Sequence, residues 1–127
     1  MNNKTENKED LQKANWNVQE LLVRLDNDRT FLCELLSVYR QDSQAALQSA
    51  KAAMGREDLV TLGRSAHTMK GMMRNLLMDR AGQAASDLET SARKGLLRDA
   101  QNHLVELEHA MAELAPEVDA LLVEVKA

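Results

Sequence analysis

The chain has 127 residues and a formal net charge of −4, a length typical of one domain with a single buried core. Its aromatic residues are limited to Trp16, Phe31 and Tyr39, and Leu, Ala, Met, Glu, Gln, Lys and Arg dominate, so the composition favours helix over sheet. The acidic balance excludes a general nucleic-acid binder, because such proteins need a basic footprint and aromatic platforms.

The sequence predicts neither a membrane-spanning helix nor a secretion signal. No apolar run approaches the roughly 20 residues that a spanning helix needs, and the polar start MNNKTENKED is unlike a signal peptide. The single Cys33 has no intramolecular disulfide partner and lies in a helical pattern, which predicts a small buried side chain in a reducing compartment. We therefore expect a cytoplasmic protein with no membrane association.

The first helical pattern follows a polar start. Residues 1–14 predict a flexible tail or a short helix, and residues 15–127 are expected to form one helical-bundle domain. Within that domain the Asp26-Asn27-Asp28 run predicts a turn and a helix cap. A short first helix is therefore predicted before it, with apolar residues at helical spacing at Val18, Leu21, Leu22 and Leu25.

A long second helix is predicted from about Phe31 to Met54-Gly55, where glycine can end a helix. Glu57 and Asp58 suit the first turn of a third helix, because negative charge there complements the helix dipole. The third helix has an apolar stripe at three- and four-residue spacing, formed by Leu59, Leu62, Ala66, Met69, Met73 and Leu76.

A fourth helix with an alanine-rich inner side is predicted from Asp79 to Lys94-Gly95. The fifth runs from about Leu97 toward Leu122, and Pro116 is expected to kink or interrupt it. Because the connections are short, neighbouring helices should be antiparallel. The predicted fold class is all-α, an antiparallel up-down-up-down four-helix bundle with a short extra N-terminal helix.

One histidine of the third helix is predicted to face solvent. At about 100° per residue, His67 points roughly 130° away from the centre of the apolar stripe. Gly63 and Gly71 lie one turn before and one turn after it, and each costs a helix interior about 1 kcal/mol relative to alanine. We interpret the two glycines as residues that leave the imidazole open to a bulky partner.

Cations surround this histidine in an otherwise acidic chain. Arg64 precedes His67 by three residues, and Lys70 and Arg74 follow it by three and seven. A neutral imidazole is a competent nucleophile near pH 7, and nearby cations stabilise the charge of a transferring phosphoryl group. The pattern therefore predicts a phosphoryl-accepting site at His67.

The run Ala66-His67-Thr68-Met69-Lys70-Gly71 resembles the signature of the histidine-containing phosphotransfer (HPt) family, in which His-x-x-Lys-Gly lies on the exposed face of a four-helix bundle. The resemblance covers roughly residues 15–125. It also includes the acidic turn before the second helix, Tyr39, the Asn75-Leu76 pair and Leu88-Glu89.

The resemblance implies that His67 accepts a phosphoryl group from a receiver aspartate and passes it to another receiver. It also implies that Lys70 assists electrostatically, that Gly71 lets the receiver approach, and that the receiver brings Mg²⁺. The chain is then expected to be a phosphocarrier and not an enzyme, with no ATP site, cofactor or metal of its own.

Expected partners are response-regulator receiver domains, a hybrid sensor histidine kinase, or both, and the expected oligomeric state is a monomer. The chain departs from the family pattern at Met72 and Met73, which replace commonly small residues, and at Leu77, where glycine is usual. Met72 flanks the docking face, so this departure bears on partner choice more than on chemistry. Partner docking is assigned to Gly63, Arg64, Gly71, Met72, Arg74 and Asn75.

Two other functions stay open at this point. The chain can instead be an interaction module that binds and regulates a receiver or sensor kinase without phosphorylation of His67, although the motif is intact. A more remote alternative is a structural bundle that self-associates.

Other histidines and methionines have simpler interpretations. His103 and His109 are six residues apart and do not share a helix face, so they predict ordinary surface residues and not a metal pair. Met69 and Met73 fit the core stripe, and Met72 and Met78 are predicted to be single exposed positions.

Overall fold

The computed structural model describes the backbone of residues 16–126 and the side chains of residues 16–123. The tail or short helix predicted for residues 1–14 lies outside the described residues. Residues 16–126 contain no strand, which confirms the all-α class. Within this part of the chain lie five helices, α1 (Val18–Arg24), α2 (Arg29–Gly55), α3 (Leu59–Asn75), α4 (Asp79–Arg93) and α5 (Leu97–Lys126).

Short polar side chains begin the first three helices. Asn17, Asp28 and Asp58 each accept a hydrogen bond from the backbone N–H three residues later, which pairs a donor that would otherwise lack a partner. Asp26 and Asn27 have left-handed φ angles of 54° and 59°, a conformation that these residue types tolerate. The turn predicted at Asp26-Asn27-Asp28 is therefore confirmed.

The turn between α2 and α3 corrects one sequence-based expectation. Glu57 was expected in the first turn of α3, but its φ is 56°, so it lies in the left-handed connection before the helix. Asp58 is the N-cap of α3 and accepts hydrogen bonds from the backbone N–H of Thr61, at 3.1 Å, and from its hydroxyl, at 2.7 Å. A side-chain cap of this kind needs Asp58 just outside the helix.

Pro116 does not interrupt the last helix. The helix continues through it from Leu97 to Lys126, so the predicted interruption is wrong, and the alternative of a kink stays a prediction. Proline removes one backbone N–H, which leaves the carbonyl of Ala112 without its usual helical donor. Tertiary packing on both sides keeps the helix intact, because Leu114 and Val118 are buried on either side of the proline.

The four long helices enclose one core. Contacts join α2 to α3, α3 to α4, α4 to α5 and α5 back to α2. Two ion pairs connect α2 with α5: Arg40 with Asp119 at 3.0 Å and Lys51 with Glu108 at 3.3 Å. Their opposite order along the chain shows that these two helices are antiparallel.

The sequence-predicted stripe of α3 lies in this core. Met69 and Met73 are buried as expected, but Met78, which was expected to be exposed, is also buried. Met78 precedes α4, and its backbone N–H donates to the Met73 carbonyl in the turn, which directs it inward. Met72, which is predicted to be exposed, and Cys33, which is predicted to be buried, are both half-buried and pack against the core.

Trp16 anchors the start of the described chain to the turn between α3 and α4. Its indole Nε1 donates a hydrogen bond of 2.9 Å to the carbonyl of Leu76, and the ring is buried. The short helix α1 adds Leu21 and Leu22 to the core. Among the described residues, no helix combines the length and apolarity that a bilayer crossing requires.

Candidate functional site

His67 lies in the middle of α3 and faces outward. Its side chain is 61% exposed, whereas its neighbours Ala66 and Met69 are fully buried. The helix periodicity that buries these neighbours forces residue 67 to the opposite side. The predicted exposure of His67 is therefore confirmed.

A buried carboxylate from α4 holds the imidazole. The Glu89 side chain is 5% exposed, and its Oε2 lies 2.8 Å from His67 Nδ1. The other carboxylate oxygen, Oε1, accepts a hydrogen bond of 2.5 Å from Lys70 Nζ. Lys70 follows His67 by nearly one helical turn, so both side chains reach the same carboxylate on the neighbouring helix.

Glu89 is the main site residue that the motif did not identify. It follows Ala85 by four residues and precedes Ala92 by three, and both alanines are buried on the inner side of α4. A glutamate on the apolar side of a predicted helix is the sequence feature that could have indicated this site residue, because a buried carboxylate requires a compensating partner. Only the packing of α3 against α4 shows that the partners are His67 and Lys70.

Glu89 is ionised in this setting. Burial raises its pKa, but hydrogen bonds from Lys70 and His67, together with the charges of Lys70 and Arg93, outweigh burial and hold the pKa below its ordinary value. An ionised carboxylate only accepts hydrogen bonds, so His67 Nδ1 carries the shared hydrogen. In the neutral ring, Nε2 is then the nitrogen with a free lone pair.

Arg93 is a second residue of α4 in the site. Its guanidinium lies 2.7 Å from Glu89 Oε2, the same oxygen that binds His67, and the side chain is 67% exposed. The Lys70 side chain is 22% exposed and more enclosed. Glu89 therefore pairs with two cations, the enclosed Lys70 and the exposed Arg93.

Gly63 and Gly71 differ in their surroundings. A Cβ at Gly71 meets nothing within 4 Å, and the residue is exposed, as expected. Gly63 is instead buried against α4, where an added Cβ lies 3.7 Å from Ala92 Cβ and 3.8 Å from Arg93 Cγ. The expectation that both glycines are bare is thus wrong for Gly63, because its face of α3 packs on the end of α4.

The remaining docking residues lie along α3. Arg64, Arg74 and Asn75 are exposed and Met72 is half-buried. The Arg74 stem lies across Gly82 of α4, where an added Cβ would come within 3.2 Å of Arg74 Cγ. This placement is compatible with a common docking face, and the docking role of all six predicted residues stays a prediction.

The two other histidines are far from this cluster in sequence, on α5. His103 is half-buried with an unpaired Nδ1, and His109 is exposed. His103 Nδ1 lies 4.0 Å from a carboxylate oxygen of Glu106. Across the part of the chain that the structure describes, no three His, Cys, Asp or Glu side chains form a group suited to a metal ion.

The fold and site together define a helical domain that presents one histidine, oriented by a buried carboxylate and surrounded by cations. The family model of the Hpt domain matches residues 34–117. The chain belongs to the Hpt domain family, whose members act in phosphotransfer in two-component signalling. No curated protein and no solved structure matches the chain.

The matched region contains the complete site, from Gly63 on α3 to Arg93 on α4. It begins inside α2, so Trp16 and α1 lie outside it. The anchoring of the α3–α4 turn by Trp16 is therefore a feature seen in this structure and not in the family match.

Proposed function

We propose that this protein is a phosphocarrier that takes a phosphoryl group from a receiver aspartate onto His67 Nε2 and passes it to another receiver. The observation that carries the proposal is the bond of 2.8 Å between His67 Nδ1 and the buried Glu89 carboxylate. This bond occupies one ring nitrogen and leaves the other facing solvent. Membership of the Hpt domain family supports the same chemistry.

In the transfer step, the Nε2 lone pair attacks the phosphorus of the receiver's aspartyl phosphate. A P–N bond forms, the bond between phosphorus and the aspartate oxygen breaks, and the aspartate leaves as a carboxylate. The ring gains positive charge as Nε2 gives up its lone pair, and Glu89 stabilises that charge through the Nδ1 hydrogen. The reverse step returns the phosphoryl group to a receiver.

Lys70 and Arg93 supply positive charge around Glu89, the carboxylate that holds His67. Both already contact Glu89, at 2.5 and 2.7 Å, so their side chains are ordered before a partner arrives. Preorganised cations stabilise the charge that spreads over the phosphoryl oxygens in the transition state. We expect the receiver to supply the Mg²⁺ and the nucleotide-dependent kinase to act elsewhere in the relay, so this chain needs no ATP site.

We also propose the topology, the location, the oligomeric state and the partners of the protein. The fold is an up-down-up-down bundle, supported by the antiparallel ion pairs between α2 and α5. The protein acts in the cytoplasm as a monomer and binds receiver domains or a hybrid sensor kinase. The docking face comprises the exposed sides of α2 and α3 around Gly63 and Gly71, and its six assigned residues are Gly63, Arg64, Gly71, Met72, Arg74 and Asn75.

Phosphoryl transfer from a phosphorylated receiver domain tests this function. We expect acid-labile, base-stable label on the wild type, none on His67→Ala or His67→Gln, and full label on His103→Gln as the matched histidine control. Binding of a receiver without any label would instead favour the interaction module that regulates its partner without phosphorylation of His67. Label that persists in both His67 variants would show that another residue accepts the phosphoryl group.

A further inference from the structure

A surface groove lies beside His67, between the start of α3 and the end of α4. It has a volume of about 340 Å³, close to the lower end of the roughly 300–1,000 Å³ of ligand pockets, which suits one or two side chains. Its floor is apolar and its open side includes Val60, which is 67% exposed. The lining residues are Leu59, Val60, Gly63, Arg64, Ala92 and Arg93.

Two arginines give the groove a positive rim. Arg93 also contacts Glu89 in the His67 site, so groove and site share one side chain. Arg64 is exposed and forms no ion pair with any residue that the structure describes. Its guanidinium is thus available to a partner, and an apolar floor with cations beside it complements an aliphatic side chain that neighbours a carboxylate.

Gly63 keeps this groove open. An alanine Cβ at this position makes only ordinary contacts, at 3.7 and 3.8 Å, so the packing of α3 against α4 does not require glycine. Glycine nevertheless costs this helix interior about 1 kcal/mol relative to alanine. A missing methyl group at the groove floor, without a steric need inside the protein, indicates space reserved for a partner.

We propose that this groove docks a loop of the receiver, which inserts an aliphatic side chain next to a carboxylate. The inference rests on the proposed function and names a contact of the same partner on the α4 side of His67. A loop seated here lies one helical turn from the imidazole, because Gly63 precedes His67 by four residues. The groove thereby positions the receiver and selects it by the chemistry of that loop.

Binding and transfer measurements with Gly63→Ala test the groove. The receiver used is the one from the same genome that labels His67 fastest, or the one that binds most tightly if none labels it. We expect Gly63→Ala to raise the Kd about tenfold, as one methyl group does in a complementary apolar pocket. The transfer rate at saturating receiver stays unchanged while the half-saturating concentration rises.

Two matched variants control for helix propensity and charge. Gly55→Ala makes the same exchange at the end of α2, where an added Cβ meets nothing within 4 Å, and it leaves receiver binding unchanged. Arg64→Ala slows association, most strongly at low salt, whereas Arg98→Ala on α5 does not.

Each outcome of these measurements decides the proposal. If Gly63→Ala binds the receiver with wild-type affinity, the proposal that the groove docks the receiver is wrong, even if His67 is labelled normally. If no receiver labels His67, the proposed function fails, and the binding titration still decides whether the groove docks a receiver. Inorganic phosphate that shifts the Gly63 amide resonance and displaces the receiver would make the groove an anion site and also overturn the proposal.

Discussion

A carboxylate with 5% exposure loses most of its hydration, so its partners must replace water. Glu89 has three such partners, from His67, Lys70 and Arg93. The same contacts that stabilise the buried charge also orient the imidazole and gather two cations around it. At the scale of single residues, stability and proposed chemistry therefore depend on one side chain.

Glu89→Gln tests the positioning role of this carboxylate. The amide oxygen can still accept from Nδ1, but the negative charge is lost, and Lys70 and Arg93 repel each other across a neutral group. We expect phosphoryl transfer to slow about 10- to 100-fold, by analogy with the removal of a carboxylate that orients a metal-binding histidine.

The nitrogen resonances of His67 provide a readout that a merely structural role would leave unchanged. They should report one Nδ1–H tautomer in the wild type and a mixture in Glu89→Gln. A variant with wild-type tautomer and wild-type transfer rate would contradict the positioning role.

The low pKa of Glu89 makes stability depend on acid pH. The folded protein binds fewer protons at Glu89 than the unfolded chain, whose glutamate pKa is about 4.3. The stabilisation that ionised Glu89 contributes is therefore complete above the unfolded-state pKa. It is lost as the pH falls through the lower folded-state pKa. Urea unfolding between pH 7 and pH 3 should show a steeper acid loss for the wild type than for Glu89→Gln.

Glu113→Gln is the matched control for this pH series, since Glu113 forms an ion pair with Arg80 in which both side chains are about half exposed. Its acid dependence should remain close to that of the wild type. Parallel stability curves for the wild type and Glu89→Gln would show that the buried carboxylate has no linked proton uptake.

At the scale of helices, α3 and α4 are matched by two glycine–arginine contacts. Arg93 of α4 lies against Gly63 of α3, and Arg74 of α3 lies against Gly82 of α4. Gly82 gives the aliphatic stem of Arg74 room, because an added Cβ there would lie 3.2 Å from Arg74 Cγ, whereas an added Cβ at Gly63 would make only an ordinary contact of 3.8 Å with Arg93 Cγ. Both charged heads stay at the surface. Along the two helices these contacts lie on either side of the His67–Glu89 bond, and only Arg93 is in contact with that pair.

Leu77 lies in the connection between α3 and α4, at a position where glycine is usual in the family pattern. Its φ is 59°, a conformation that costs a residue with a Cβ about 1–2 kcal/mol. This strain explains why glycine is usual at the position. Leu77 packs against the core, and burial of apolar surface offsets part of the cost.

Pro116→Ala should stabilise α5. The substitution restores one backbone N–H inside a continuous helix, and proline costs a helix interior about 3 kcal/mol. Because proline also restricts the unfolded chain, which offsets up to about 1 kcal/mol, we expect a net gain of about 2 kcal/mol in the free energy of unfolding. Denaturant unfolding measures it, with Ala115→Gly as a helix-weakening control. A loss of stability would mean that packing requires a bend at Pro116.

At the scale of the whole molecule, Trp16 connects the start of the described chain to the turn that follows α3. Its indole donates to the Leu76 carbonyl, and Asn17 contacts the Leu77 carbonyl at 3.4 Å. The short helix α1 is therefore held against the core by contacts distant in sequence. Such contacts predict that α1 and the bundle unfold together.

The single tryptophan allows a direct test of this cooperativity. Fluorescence of Trp16 and helical circular dichroism should give coincident denaturant transitions. Trp16→Phe should lower the free energy of unfolding by about 1–2 kcal/mol, because a buried carbonyl loses its donor. A fluorescence transition that precedes the loss of helix would show that α1 unfolds independently.

The sequence by itself determined the helices and the orientation of His67. Apolar residues at three- and four-residue spacing define which side of a helix is buried, and this local periodicity places residue 67 on the outside. The motif around Lys70 and Gly71 then indicated the family. These features are local in the chain, which is why they were predicted without tertiary information.

Only the tertiary structure decided which side chain holds the imidazole and which glycine remains bare. Glu89 is 22 residues from His67, and Gly63 is buried by residues of α4. Such contacts depend on the register of two packed helices, and helical periodicity within either helix does not define that register. The packing of α3 on α4 therefore decides which carboxylate orients His67.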